Sequence, residues 1–396
     1  MPVRKRVLLF YKIIVVLLEK ERVKLYNVIM SSVSLQYLTD TRRKLHALAE
    51  LSGAEFKTSE FIIDELKRFG YKPKTIGTGV YCDIGRGGGR LAFRADIDAL
   101  PVTENFDVTG MGEYGAKGNV MHACGHDGHT ANLLNVARIL DGKCKVPLRL
   151  IFQFGEEDTG GSRIMIDGGV LDGVNEIYAL HLCPELEQGK IGYAYGGMFA
   201  GCCEFDIEVC GRSSHCAMPE CGADAVKASL NIARSAFAAA NERGLLLNLG
   251  RIDGGSARNI VADKCKTEYS LRFYDMVKCE AVMLDIERAA LRADDESGTS
   301  HRLTSVALYR PLINNAFAVD RVRSAMGDKC VPVAPRNTAE DFSEYLYETT
   351  GCMVWLGVKT AGHEAPLHSE CFSFDESALL TGTELFIKLI DAYAET

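Results

Sequence analysis

The chain has 396 residues, 47% of them hydrophobic and 25% charged, with a formal net charge of −8. That length allows two domains, and the balance is ordinary for a soluble globular protein. An acidic surplus with no basic stripe excludes a nucleic-acid surface, and fourteen scattered cysteines are not the spaced framework of a small secreted domain.

Arg4, Lys5 and Arg6 precede an apolar run from Leu8 to Leu18. The run is too short to span a bilayer. Lys12 interrupts it, and the charged stretch Glu19 to Lys24 follows without a small-residue cleavage site. Residues 1–29 are therefore expected to be a poorly structured extension with no membrane role, and Met30-Ser31-Ser32 is a candidate true beginning. The cysteines suit a reducing, cytoplasmic setting with free thiols. Cys82, Cys144, Cys210, Cys265 and Cys352 read as small buried hydrophobes, and Cys124 stays available as a thiolate.

From about Gln36 the pattern alternates between helix and strand. Phe61, Ile62, Leu66 and Phe69 recur at helical spacing, with Gly70 as a stop. Leu91-Ala92-Phe93 reads as a strand leading into Arg94-Ala95-Asp96-Ile97-Asp98. Residues 130–140 read as a helix, and 148–152, 177–180 and 353–358 as buried strands. Apolar strands separated by helices predict an α/β fold whose mostly parallel sheet is covered on both faces. The texture changes between Cys202 and Leu308. Phe205, Ile207 and Val209 alternate with acids, as do Cys265, Thr267, Tyr269, Leu271 and Phe273 with polar residues, and 223–241 is Ala-rich and helical. This predicts a small antiparallel α+β module inserted in the larger domain. The expected organisation is an extension over 1–29, a catalytic domain over 30–201 and 310–396, and the inserted module over 202–309.

The densest chemistry lies in Met121-His122-Ala123-Cys124-Gly125-His126-Asp127-Gly128-His129-Thr130. A thiol, three imidazoles and a carboxylate surround two glycines, as a metal or a reaction would require. Glu156-Glu157, His181 and His368 add ligand-type groups downstream. Open parallel sheets bind ligands beyond the carboxyl ends of their strands. Asp96, Cys124, His126, Glu156, Glu157 and His181 are therefore expected to gather at one sheet edge. His46, His301 and His363 read as satisfied polar residues rather than ligands, and Asp98 and Glu104 as structural acids. His122 and His129 could belong to the site or merely flank it.

Six ordered anchors carry a resemblance from about Thr41 to Leu380. They are RADIDALPVTE (Arg94 to Glu104), MHACGHDGHT (Met121 to Thr130), FQFGEE (Phe152 to Glu157), ALHL (Ala179 to Leu182), AEDFSEY (Ala339 to Tyr345) and LHSECFSFDE (Leu367 to Glu376). The chain resembles the metal-dependent amidohydrolases and carboxypeptidases with an inserted dimerisation domain. Within them it is closest to the branch of hippurate hydrolase, N-acyl-amino-acid amidohydrolases and auxin-conjugate hydrolases. It departs at Phe154-Gly155, where the family usually has Pro-Ala, and in the lid motif Ser213-Ser214-His215-Cys216-Ala217-Met218-Pro219.

The resemblance implies a di-metal site with Cys124, His126, Glu157, His181 and His368 as ligands to two divalent transition ions, Zn, Mn, Co or Ni. It implies Glu156 as the general base, Asp96 as a carboxylate orienting a ligand, and Asp341 as a possible second one. It implies a ferredoxin-like lid whose His215 and Asn259 contact substrate, with His215 reaching a partner's site in a homodimer. The expected reaction is hydrolysis of the amide of an N-acyl or N-acetyl amino acid. Alternatives are a dipeptidase or carboxypeptidase on short peptides, an N-acetyl-diaminopimelate deacetylase, and a metal-binding regulatory protein. The last has no need of Glu156, since a pure binder requires the ligands but not the base.

Overall fold

Helix and strand alternate from the first described residue. The computed structural model describes residues 34–395 apart from Arg86 and Gly88, so the extension expected over 1–29 lies outside the described residues. The elements used below are α1 (34–48), α2 (Phe56–Arg68), β1 (Lys74–Ile76), β2 (Gly79–Ile84), β3 (Arg90–Asp96), α3 (His126–Leu140), β4 (Leu148–Gln153), β5 (Val174–Glu187) and β6 (Ile191–Tyr193). They continue with β7 (Gly201–Cys210), α4 (Ala225–Glu242), β8 (Leu246–Gly254), β9 (Lys264–Phe273), α5 (Met276–Ser297), β10 (Ser300–Tyr309), β11 (Cys330–Pro332), β12 (Thr350–Lys359) and α6 (Leu379–Ala394). The chain divides into two units. One gathers the residues up to Gly192 with Asp320–Val331 and those from Met353 on; the other is Tyr193–Val319 with Pro332–Cys352.

The first unit is built on an eight-stranded sheet in the order β1-β2-β4-β3-β5-β12-β6-β11. Its centre is parallel, β3 pairing with both β4 and β5, while β1-β2, β2-β4 and β12-β6 are antiparallel. All six residues of β4 are buried, as are most of β3 and β12. Such runs belong to strands covered on both faces. Helices α3 and α6 pack on each other and on β3.

Two boundaries differ from the sequence pattern. Helix α3 starts at His126 rather than Thr130, because Gly125 (φ 84°) turns the chain left-handed just ahead of it. A Cβ there would also lie 2.7 Å from Leu182 Cδ1, so only glycine fits. His126 and His129 thus sit in the first helical turn. Strand β5 runs on to Glu187, which places His181 inside a strand rather than at its end.

The second unit contains a β-α-β-β-α-β module, the ferredoxin-like arrangement. Its sheet order is β8-β9-β7-β10, antiparallel throughout. Cys203, Phe205, Ile207 and Val209 of β7 face a core shared with Ile232 and Ala236 of α4 and with Val282 and Ile286 of α5. Asp224 and Asp275 cap the two helices, accepting hydrogen bonds from the amides of Lys227 and Val277. All fourteen cysteines are free thiols. Cys82, Cys265 and Cys352 are buried as expected, but Cys144 is only partly buried and Cys210 is exposed. The alternation that buries Val209 turns Cys210 outward. Among the described residues no helix is long and apolar enough to cross a membrane.

His301 is a satisfied polar residue, as the sequence suggests. Its Nδ1 lies 2.6 Å from Asp294 Oδ2 and its Nε2 3.3 Å from Glu287 Oε1, tying β10 to α5. Burial pushes its pKa down, but Asp294 and Glu287 outweigh this and hold it above the usual value. A raised folded-state pKa gives stability that is complete below the unfolded value of about 6.5 and lost as pH rises through the folded one. His301→Gln should therefore destabilise the protein more at about pH 5.5 than at about pH 9. Urea unfolding of both proteins at the two pH values measures this; equal losses at both would contradict the clamp.

Candidate active site

The seven site residues expected in the larger domain converge at the carboxyl-terminal end of the parallel strands. Asp96 ends β3, Glu156 and Glu157 follow β4, and His181 lies on β5. The loop before α3 brings Cys124, and the first residue of α3 is His126. His368 arrives from the C-terminal segment, held by its amide donating to Ala123 O at 2.8 Å. His368 has a φ of 64°, a left-handed conformation unusual for a non-glycine residue. Strain of this kind concentrates at functional sites.

Cys124 Sγ is the hub. It lies 3.4 Å from His181 Nε2 and 3.3 Å from His368 Nε2. His368 Nε2 is also 3.5 Å from Glu157 Oε1, and His126 Nε2 is 3.8 Å from that same oxygen. Two candidate triads share the thiol: Cys124, His126 and His181, and Cys124, Glu157 and His368. Glu156 forms a third group with His126 and Glu157, ligand-type atoms again within 4.8 Å of one another.

Backbone and carboxylate contacts decide which nitrogen each imidazole presents. His181 Nδ1–H donates to Leu182 O at 2.9 Å, leaving Nε2 as the lone pair facing Cys124. His126 Nδ1–H donates to Asp98, to its carbonyl at 3.0 Å and its Oδ1 at 3.1 Å, which likewise frees Nε2. Such partners fix tautomer and ring orientation for a ligand. Asp98 also accepts from Ser52 Oγ at 2.6 Å and from the Glu157 amide at 2.9 Å. In the sequence Asp98 reads as a structural acid. The available signal was the Asp-Ile-Asp spacing at a strand end, which aims two carboxylates at one edge.

His129 is spent inside the protein. Its Nε2 accepts the Leu182 amide at 3.0 Å, so Nδ1–H donates to Asp96 Oδ1 at 2.5 Å. Asp96 therefore bonds a buried histidine that is not itself free to ligate, and it lies 3.7 Å from His126 Nε2. Arg94 completes its surroundings, Nη1 donating to Asp96 Oδ2 at 2.6 Å. Beneath the loop, Asp127 accepts from Arg42 Nε at 2.9 Å and contacts His46 Nδ1 at 2.8 Å. His46 thus anchors the loop from behind, and His363 bonds Ser373.

The electrostatics fit a divalent cation. His126 Nε2 and Glu157 Oε1 are buried without a hydrogen-bond partner among the described residues, an arrangement proteins rarely tolerate. Burial, then Glu157 and Glu156, push the Cys124 thiol well above its usual range. Burial and the neighbouring His129 keep His181 neutral, far below the ordinary histidine value. For Asp96, burial is outweighed by His126, His129 and Arg94, which hold it ionised. A buried thiol among carboxylates stays protonated unless a cation reverses the local field. Thiolate, imidazole and carboxylate together suit Zn²⁺ and related ions.

His215 and Asn259 lie in the second unit, both exposed. The strand pair Ser214–His215 with Ile260–Val261 sets them side by side, and the Cys216 amide donates to Asn259 O at 3.0 Å. His215 Nδ1 accepts the Ala217 amide at 3.1 Å, leaving Nε2 directed elsewhere.

Comparison with known proteins matches the description "Peptidase family M20/M25/M40" over residues 92–392. The chain is 31% identical over 382 residues to an N-acetyl-L-cysteine deacetylase of Bacillus subtilis, covering 91% of this chain and 89% of the relative. It is 35% identical over 287 residues to an N-acyl-L-amino acid amidohydrolase of Geobacillus stearothermophilus, covering 69% and 76%. A solved structure of a dinuclear metal-binding peptidase of the M20 family from Bacillus subtilis superposes with a TM-score of 0.81. It has 28% identity and covers 92% of this chain and 99% of that one.

Proposed function

The chain belongs to peptidase family M20/M25/M40, and from that membership we propose that it hydrolyses the amide bond of N-acyl amino acids at a centre holding two divalent metal ions. The observation that carries this reading is the convergence of four ligand-type side chains, His126, Glu157, His181 and His368, around Cys124 Sγ, with Glu156 beside them. Cys124, His126, Glu157, His181 and His368 would hold the ions. When bound, two such ions polarise an acyl carbonyl and acidify an attacking water. Glu156 takes the water's proton and passes it to the leaving amine. Asp98 fixes the His126 tautomer, and Asp96 holds His129 and, through it, the Leu182 peptide next to His181. The relatives named for N-acyl-L-amino acids and N-acetyl-L-cysteine support the substrate class. A release assay across N-acetyl and longer N-acyl amino acids, with dipeptides alongside, tests it. Turnover confined to dipeptides would select the dipeptidase alternative.

We further propose a homodimer through the ferredoxin-like module. Val277, Leu284 and Leu291 are exposed at seven-residue spacing along α5, and Val306 and Leu308 on the edge strand β10. An apolar stripe and a strand edge unpaired among the described residues are what a second copy of the chain would cover. His215 would then complete a partner's site by donating a hydrogen bond to the developing oxyanion. His215→Ala should stay folded, dimeric and metal-loaded while losing about 10²–10³ in kcat. Mixed with Glu156→Gln under subunit exchange, it should regain activity above either parent, since one complete site is restored per mixed dimer. No gain despite exchange would place His215 in its own chain's site.

A further inference from the structure

After β4 ends at Gln153, the chain must turn within two residues to deliver Glu156 and Glu157. It does so at Gly155, whose φ is 63°. A Cβ on Gly155 would overlap Thr159 Oγ1, and one on Gly161 would overlap Phe154 O. The turn closes by hydrogen bonds to Gly155 O, from the Gly161 amide at 3.0 Å and from Thr159 Oγ1 at 3.3 Å. Glycine admits this conformation but does not enforce it, having the widest backbone freedom of any residue. The resembling family usually carries Ala at this point; here something else must hold the peptide.

That holder is a carboxylate far away in sequence. Gly155 N–H donates to Glu55 Oε1 at 2.9 Å. The same oxygen accepts the Gly53 amide at 2.9 Å, and Oε2 accepts Thr78 Oγ1 at 2.6 Å. Glu55 is fully buried, and it joins the loop before α2, the β1-β2 turn and the turn bearing the paired glutamates. On the other side of Glu156, the Glu157 amide is held by Asp98. Buried carboxylates therefore hold the Phe154–Gly155 peptide, one residue ahead of Glu156, and the Glu156–Glu157 peptide directly after it.

We propose that Glu55 is a positioning residue for the reaction: by holding the Gly155 amide it fixes the backbone from which Glu156 reaches the scissile bond. This rests on Glu156 being the general base. The Glu55 side chain bonds Gly53, Thr78 and Gly155 and none of the candidate ligands, so its loss acts through the turn that carries Glu156. Glu55→Ala should lower kcat by about 10–100-fold, the scale of a misplaced catalytic group, with KM and metal content unchanged. Glu55→Gln keeps one acceptor oxygen for the two amides, and Thr78 can rotate its hydroxyl to accept; it should restore most of kcat. Glu55→Asp withdraws the carboxylate by one methylene and should show the same kcat-only loss if the alanine variant folds poorly. On a Glu156→Gln background, Glu55→Ala should cost nothing further. An unchanged kcat, a loss of metal, or an equal loss on the Glu156→Gln background would overturn the proposal while leaving Glu156 in place. Normal turnover in Glu156→Gln alone would reject the base itself and this proposal with it.

Discussion

Glu156→Gln is expected to keep both metal ions and to lose roughly 10²–10⁴ in kcat, the usual worth of a positioned general base. The substitution removes the proton acceptor while leaving the Cys124, Glu157 and His368 group intact. Its neighbour makes the contrast. Glu157 Oε1 is a buried oxygen lacking a hydrogen-bond partner among the described residues and lies within 4 Å of two imidazoles, so Glu157→Gln should lower metal occupancy as well as rate. Elemental analysis beside steady-state kinetics separates the two variants. Near-normal turnover in Glu156→Gln would show that another group accepts the proton.

Cys124→Ala should be the most damaging single change at the centre. Both candidate triads share that sulfur, so its removal would take a candidate ligand from each. Amidase activity should disappear, as it should on chelation of the unaltered protein, and Zn²⁺, Mn²⁺, Co²⁺ or Ni²⁺ should restore only the latter. The chain supplies its own reporter. Its single tryptophan, Trp355, stands edge-on to His181 with ring centroids 5.3 Å apart. An open-shell ion such as Co²⁺ at His181 should quench that fluorescence by short-range energy or electron transfer, and His181→Ala should abolish the quenching. A fully active, metal-free preparation would refute the di-metal reading.

Much of this was legible in the sequence because it depends on side-chain type and local period. Alternation along β7 and β9 and the mostly apolar run of β4 are local patterns, and burial largely follows them, Arg149 and Gln153 of β4 being buried polar exceptions. Ligand-type residues stand out by chemistry, but Cys124, His126, Glu157, His181 and His368 are singled out from their neighbours only by the resemblance to the family. What a linear pattern does not carry is who bonds whom across the fold. The Leu182 amide takes His129 Nε2 out of contention, Asp98 turns His126 Nε2 outward, and Glu55 grips Gly155 from 100 positions away. His301 reads in sequence as a satisfied polar residue, but its partners, two acids of α5, are set only by β10 lying against that helix. Each of these contacts joins residues brought together by chain packing. Hydrogen-bond capacity is a property of the residue, but which lone pair remains free is settled only when every other donor and acceptor around it has found its partner.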